Sequence, residues 1–228
     1  MTRKYIFPDP ALADEDGLLA AGGDLSVEAL LTAYSLGIFP WFDESSPILW
    51  WCPDPRMVLF LDKLKISESL YQKIRNNKYH VLIDQNFHEV IHHCSAVKRK
   101  DQNGTWITAE MMDAYSVLHQ EGYAHSFETY YEGKLAGGLY GVSLGKTFFG
   151  ESMFHIMSDA SKIALYYLVM VLKRLGFDII DVQQSTAHMR SLGAEEIPRE
   201  EFLKMLSSSL QSPTIKGSWS QFVELLKD

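Results

Sequence analysis

Between Ala124 and Phe149 the chain reverses twice over short turns, and this limits most narrowly what it can fold into. Ala124 to Tyr131 alternates as a strand, Glu132-Gly133-Lys134 turns it, and Leu135 to Ser143 runs back. Leu144-Gly145-Lys146 turns again, and Thr147 to Phe149 begins a third strand. Strands joined by turns this short must pair antiparallel, so the segment is a meander. Behind it, Asp159 or Ser158 caps a long apolar helix from about Ala160 to Leu175, closed by Gly176. Phe177 to Val182 then reads as a buried strand. A meander, a buried helix and one more strand define an α+β layer, a mixed sheet with helices packed on it.

The order of these elements is similar to the acyltransferase fold of the GNAT type. Acetyl-CoA users of that type carry a glycine-rich pyrophosphate loop, whereas Ser152 to Lys162 contains no glycine. The expected donor is therefore not acyl-CoA, and no cofactor is expected. Residues 1–62 read differently, as turns and short pieces around one helix, Val27 to Leu36, capped by Ser26 and stopped by Gly37. Ile38 to Pro55 is dense in aromatics and prolines, with Trp41, Trp50 and Trp51 close together, and Met57 to Leu61 is a short apolar strand. Further helices start at Ser67, at Asp84 and at Thr108, the last ended by Gly122. A length of 228 residues accommodates a small N-terminal α/β domain over 1–62 and a GNAT-like domain over 63–228.

The two cysteines, Cys52 and Cys94, form no Cys-x-x-Cys pair, which argues against a disulfide framework and fits a reducing cytosol. The longest apolar run, Ile163 to Leu172, is well short of the roughly 18 residues of a membrane span. The start turns from Arg3 and Lys4 to Pro8, Asp9 and Pro10 with no apolar signal segment behind them. A soluble cytoplasmic protein without a membrane partner is expected. Net charge is −8, but it is unevenly spread: −7 over residues 1–62, +4 over 63–108 and −5 over the rest. Exposed charges act within a Debye length of about 8–10 Å, so the basic segment can bind phosphate on an acidic protein. Its cations are Lys63, Lys65, Lys73, Arg75, Lys78, Lys98, Arg99 and Lys100.

Four groups of residues could carry chemistry. His88-Glu89-Val90-Ile91-His92 matches the His-Glu-x-x-His pattern, which on a helix places two zinc ligands one turn apart, with Glu110 the best third ligand. This opens a metallopeptidase alternative. Glu151, beside Gly150 where the third strand stops, is a candidate functional acid. Asp181 and Gln183 share a face of the following strand by period two, so the acid can polarise the amide through a hydrogen bond. Trp50, Trp51 and Trp106 are flat aromatics near the basic segment, suited to stacking an unpaired base.

The chain also carries FPDP, GLLAAGGDLSVEALLTAYSLGIFPWF, LWWCPDPR, GTWIT, AYSVLHQEGYAHSFE, LAGGLYGVSLGKTFFGESMF, DASK, DVQ and SLGAEEIPR, in that order, from residue 7 to about 202. In these words and their spacing it resembles the leucyl/phenylalanyl-tRNA–protein transferases. The resemblance implies transfer of leucine or phenylalanine, and methionine as a further donor, from aminoacyl-tRNA to a protein with N-terminal Arg or Lys. It implies marking of that protein for N-degron degradation, with no ATP, by a monomer. It further implies that Gln183, oriented by Asp181, accepts a hydrogen bond from the attacking amine, while Glu151 positions the acceptor or the terminal ribose. Trp50 or Trp51 and Trp106 would line the terminal-adenosine site, and Met153 the pocket for the donor side chain. The acceptor stem would lie on Lys73, Arg75 and Lys78, with Lys63 and Lys65 behind them.

Overall fold

One parallel pair of strands organises the whole molecule. The computed structural model describes residues 5–76, 78–97 and 106–226; Lys98, Arg99, Lys100, Gly104 and Thr105 lie outside them. In chain order the regular elements are β1 (Leu18–Ala21), α1 (Val27–Ser35), β2 (Phe39–Pro40), β3 (Leu49–Trp51), β4 (Arg56–Phe60) and α2 (Glu68–Arg75). There follow β5 (Tyr79–Ile83), α3 (Phe87–Ser95), α4 (Ala109–Gln120), β6 (Ala124–Tyr131), β7 (Lys134–Leu144) and β8 (Thr147–His155). Then come α5 (Ala160–Arg174), β9 (Ile179–Gln183), α6 (Ala187–Ser191), β10 (Glu195–Ile197), α7 (Arg199–Ser209) and a closing 3-10 helix, Trp219–Leu226.

Seven strands form one sheet in the order β10-β4-β9-β8-β7-β6-β5, and β1, β3 and β2 form a separate small one. The meander is β6-β7-β8, as the turns require. Helix α5 then crosses over and returns the chain as β9, parallel to β8, which is what a crossover helix makes possible. Strand β4 pairs with β9 and β10, so residues Arg56–Phe60 belong to the large sheet although they precede residue 63.

The sheet separates two cores, and alternation along each strand assigns the sides. Val58, Tyr140, Phe149 and Ile179 pack with α1, α3, α4 and α7. Met57, Leu59, Leu139, Phe148 and Ile180 pack with α2, α5 and Trp219 of the closing helix. Helix α5 buries Ile163, Leu165, Leu168, Val171 and Leu172, so truncating one of these leucines to alanine costs about 2–5 kcal/mol. Ser26 caps α1 by accepting from the Ala29 amide at 3.3 Å, as its sequence position suggests.

Asp84 does not cap α3. It has φ +56°, and its carboxylate accepts from the amides of Ser126 and Trp219 and pairs with His125, pinning the closing helix to the sheet edge. Nor does Asp159 cap α5 with its side chain. Its carboxylate takes Lys73 at 2.6 Å and Lys162 at 2.8 Å, and these two cations hold it down to about 2.

Candidate active site

The parallel pair is short. Strands β8 and β9 are registered only over Thr147↔Ile179, Phe148↔Ile180 and Phe149↔Asp181, and beyond that point they part. Each carries a bulge where it leaves its neighbour. Across β7 and β8, Tyr140 faces Ser152 and Gly141 faces Gly150, so Glu151 is the extra residue. Across β4 and β9, Met57 faces Gln183 and Val58 faces Asp181, so Val182 is extra. A bulge re-aims the side chains around it, and here two of them flank one opening. Gly141 meets this crowding directly: a Cβ there would lie 2.2 Å from the Phe149 carbonyl oxygen. Glu151 therefore sits inside β8 rather than at a strand end, contrary to the sequence expectation.

A cleft of about 340 Å³ fills the parting. Gln183, Glu151 and Gly150 stand at its apex; Trp41, Trp106 and Phe39 line it from one core, and Leu139, Phe148, Leu165, Leu168 and Ile180 from the other. Met153 lines the apolar part.

Two buried acids, Glu151 at the apex and Asp181 behind it, have different partners. Asp181 accepts from Arg56 Nε at 2.8 Å and Nη2 at 2.7 Å, a bidentate pair with both side chains fully buried. The guanidinium lies between the rings of Phe39, 4.8 Å away, and Phe202, 4.5 Å away. Asp181 also accepts from the Gln183 backbone amide at 2.9 Å. That bond supports Gln183 at φ +67°, a left-handed conformation that costs a side-chain-bearing residue about 1–3 kcal/mol. Asp181 thus orients Gln183 through the backbone and does not touch its side-chain amide. The expected polarisation of the amide by Asp181 is replaced by this geometry.

The amide belongs to Glu151 instead. Gln183 Nε2 donates to Glu151 Oε1 at 2.7 Å, Tyr34 Oη donates to the same oxygen at 2.7 Å, and Tyr115 Oη lies 3.1 Å from Oε2. The two phenol oxygens contact each other. Burial pushes the Glu151 carboxyl up to about 7 against these donors.

The remaining sequence candidates divide. Trp106 lines the cleft, but Trp50 and Trp51 do not. Trp50 is buried against Phe7 and donates to the Gly22 carbonyl at 2.9 Å. Trp51 donates to the Trp41 carbonyl at 2.6 Å and packs edge-on against the Trp41 ring, so it braces the tryptophan that does line the cleft. Trp41 has a weaker mark in the sequence than the adjacent Trp50-Trp51 pair: its place at the end of Ile38-Phe39-Pro40-Trp41.

Among the described residues, none of the candidate phosphate-binding cations lines the cleft. Lys73 of α2 is tied to Asp159, the residue before α5, whose carboxylate also takes Lys162. Lys63 pairs with Glu195 at 2.5 Å, Arg75 lies over the Tyr71 ring, and Lys65 and Lys78 are exposed. The metallopeptidase alternative finds no support. His88 and His92 are exposed on α3 away from the cleft, and among the described residues no group of three or more His, Cys, Asp or Glu could hold a metal ion. No helix among them is long and apolar enough to cross a membrane.

Arg56, Tyr34 and Tyr115 were missed in the sequence. An arginine heading the apolar run Met57 to Phe60 was the available sign of a buried partner, while the two tyrosines fall on apolar helix faces and read as ordinary core.

A mixed sheet that opens between its parallel strands, over a cleft holding a buried acid and an amide, has the architecture of a GNAT-like acyltransferase. The chain belongs to the leucyl/phenylalanyl-tRNA protein transferase family, whose description matches residues 58–207, with its N-terminal domain matching 23–54. The leucyl/phenylalanyl-tRNA–protein transferase of Maridesulfovibrio salexigens is 54% identical over 96% of this chain and 91% of its own length. The enzyme of the same name from Syntrophobacter fumaroxidans is 53% identical over 96% of this chain and 94% of its own length.

Proposed function

We propose that this chain, an aminoacyltransferase by family, moves leucine, phenylalanine or methionine from aminoacyl-tRNA onto the N-terminal Arg or Lys of an acceptor protein. The observation that carries the reading is the parting of β8 and β9, with Gln183 and Glu151 at its apex, aromatic rings on one wall and an aliphatic end beyond. In this reading Trp41 and Trp106 hold the terminal adenosine, and Met153, Leu139 and Leu165 take the donor side chain. Leu and Phe fill an apolar pocket of this kind, and a misplaced methyl group costs about 1–3 kcal/mol.

The donor ester is already activated, so no ATP enters. The acceptor's α-amine, with a pKa near 7.7–8, is partly neutral at pH 7 and attacks the ester carbonyl. The C–N bond forms, the bond to the ribose oxygen breaks, and the proton shed by nitrogen is balanced by the one that oxygen takes. With its NH₂ committed to Glu151, Gln183 has its carbonyl oxygen left to accept a hydrogen bond from the amine. Arg56 and Asp181 hold Gln183 from behind. Lys73, Arg75 and Lys78 take acceptor-stem phosphates, with Lys63 and Lys65 further back. The reading divides the chain into a small N-terminal domain and a catalytic domain that includes Arg56–Phe60. The enzyme acts as a cytoplasmic monomer in the N-degron route.

The test is incubation of the purified protein with labelled Leu-tRNA and an Arg-initiated peptide, without ATP. Labelled peptide is expected; release of free leucine alone, or equal labelling of a Gly-initiated peptide supplied in a parallel incubation, would overturn the reading.

A further inference from the structure

The oxygens around Glu151 invite a proton count. Glu151 Oε1 contacts Tyr34 Oη, Tyr34 Oη contacts Tyr115 Oη, and Tyr115 Oη contacts Glu151 Oε2, which closes a ring of three oxygen–oxygen contacts. Two phenols supply two protons. An ionised carboxylate supplies none, so one contact would set lone pair against lone pair in a buried site, where an unmade hydrogen bond is costly. A neutral carboxyl supplies the third proton. The ring then closes in one direction: Glu151 Oε2 donates to Tyr115, Tyr115 to Tyr34, and Tyr34 to Glu151 Oε1. The Gln183 amide donates to Oε1 in either state.

We propose that Glu151 carries a proton in the resting site at neutral pH, and that the closed ring with Tyr34 and Tyr115 is the state that holds Gln183 ready for transfer. The first clause concerns the free protein; the second rests on the function proposed above.

The surroundings agree with the count. Tyr34 reaches Glu151 from α1, Tyr115 from α4 and Gln183 from β9; Tyr140 of β7 stands against Tyr115. The charged neighbours are Asp181 of β9 and Arg56 of β4, which neutralise each other in their own bidentate pair. Burial raises the Glu151 carboxyl to about 7 and raises both phenols well above 10, so the carboxyl is the member of the ring that titrates near neutrality. Its ionisation removes one proton from a ring with none to spare. Tyr34 and Tyr115 are accordingly positioning residues, acting on the reaction through Glu151 and Gln183.

The direct test is infrared spectroscopy of the free protein across pH, taken as the difference between the parent and Glu151→Gln. The difference isolates Glu151 from Glu128, a second buried carboxyl raised to about 7. The carbonyl band of a protonated carboxylic acid should still be present at pH 7 and vanish only above it. A band already absent at pH 7 overturns the proposal, whatever the protein transfers.

Single-turnover transfer should then rise with pH as the acceptor amine deprotonates and fall as Glu151 ionises. In Tyr34→Phe, or Tyr115→Phe should the first fold poorly, the ring is opened and the remaining phenol can donate to an ionised carboxylate with no oxygen left bare. The band and the falling limb should both move down by about one pH unit, and a move up would overturn the ring. A band that moves while the falling limb stays would overturn the link to catalysis. A protonated Glu151 in a protein that transfers nothing would leave the first clause standing and defeat the function.

Discussion

Asp181 and Glu151 sit on neighbouring strands of one sheet, both buried, Glu151 at the apex of the cleft and Asp181 behind it, and the fold treats them in opposite ways. Asp181 is met by a guanidinium, two aromatic faces and a backbone amide. Glu151 is met by two phenols and a carboxamide, all neutral. A cation answers the first charge in full and locks it as structure. Neutral donors answer the second in part and leave it free to change state. Burial alone therefore does not decide whether an acid serves the scaffold or the chemistry; the partner does.

The largest effect expected from this contrast is on stability. Asp181→Asn leaves the Arg56 guanidinium buried without its carboxylate and should cost about 3–5 kcal/mol in denaturant unfolding. Replacing both partners with apolar residues, Arg56→Met with Asp181→Leu, should recover most of that loss while transfer stays slow. A parental midpoint for Asp181→Asn would erase the distinction between the two acids.

Next in size is a rate. Gln183→Ala should slow single-turnover transfer by roughly 10²–10³-fold, the usual cost of one preorganised hydrogen bond, with a denaturation midpoint close to the parent's. Equal damage to stability would make Gln183 part of the scaffold with Asp181.

The third prediction concerns pH. The Glu151 carboxyl is raised in the folded state from 4.5 to about 7, so the native protein binds more protons than the unfolded one between those values. The contribution is fully present below about 4.5 and is lost as pH rises to about 7, by about 3 kcal/mol at most. Glu128 acts in the same direction. His125 and His188, lowered by burial, act in the opposite direction over the same range, so the test is the difference between proteins: from pH 5 to pH 7 unfolding free energy should fall relative to Glu151→Gln, and an unchanged difference would contradict the assignment.

The smallest effects lie at the rim. Trp41→Ala should weaken binding of an adenosine-ended donor analogue by about 1–3 kcal/mol. Trp50→Ala should instead lower stability, since Trp50 is sealed against Phe7. Replacing Lys73, Arg75 and Lys78 by alanine should flatten the salt dependence of tRNA binding by about 0.7–0.9 for each phosphate no longer neutralised, with the small analogue unaffected.

How much of this was legible follows from what each feature depends on. The meander, α1 with its Ser26 cap and α5 were readable because glycine turns, caps and apolar periodicity are local. Glu151 was found beside Gly150, and Asp181 with Gln183 by period two, but their connections were not. A bulge is one extra residue, and it shows in sequence only as a change of parity: Phe148 faces one core and Phe154 the other, although both are even-numbered. That flip between them marked Glu151. Arg56 meets Asp181 across 125 residues, and no local signal spans such a distance.

The same separation has a consequence for synthesis. At about 5–20 residues per second, Arg56 leaves the ribosome many seconds before Asp181 follows. Until then the guanidinium has no carboxylate, and burying it alone would cost several kcal/mol, so β4 stays in water. Its place in the sheet lies between β9 and β10, and the second ring over Arg56 comes from Phe202. The cleft therefore forms late and in one cooperative step, after β9, β10 and Phe202 have been made. A nascent chain stalled before Phe202 displays the Trp-rich segment but no assembled apex, and transfer activity reports on finished molecules alone.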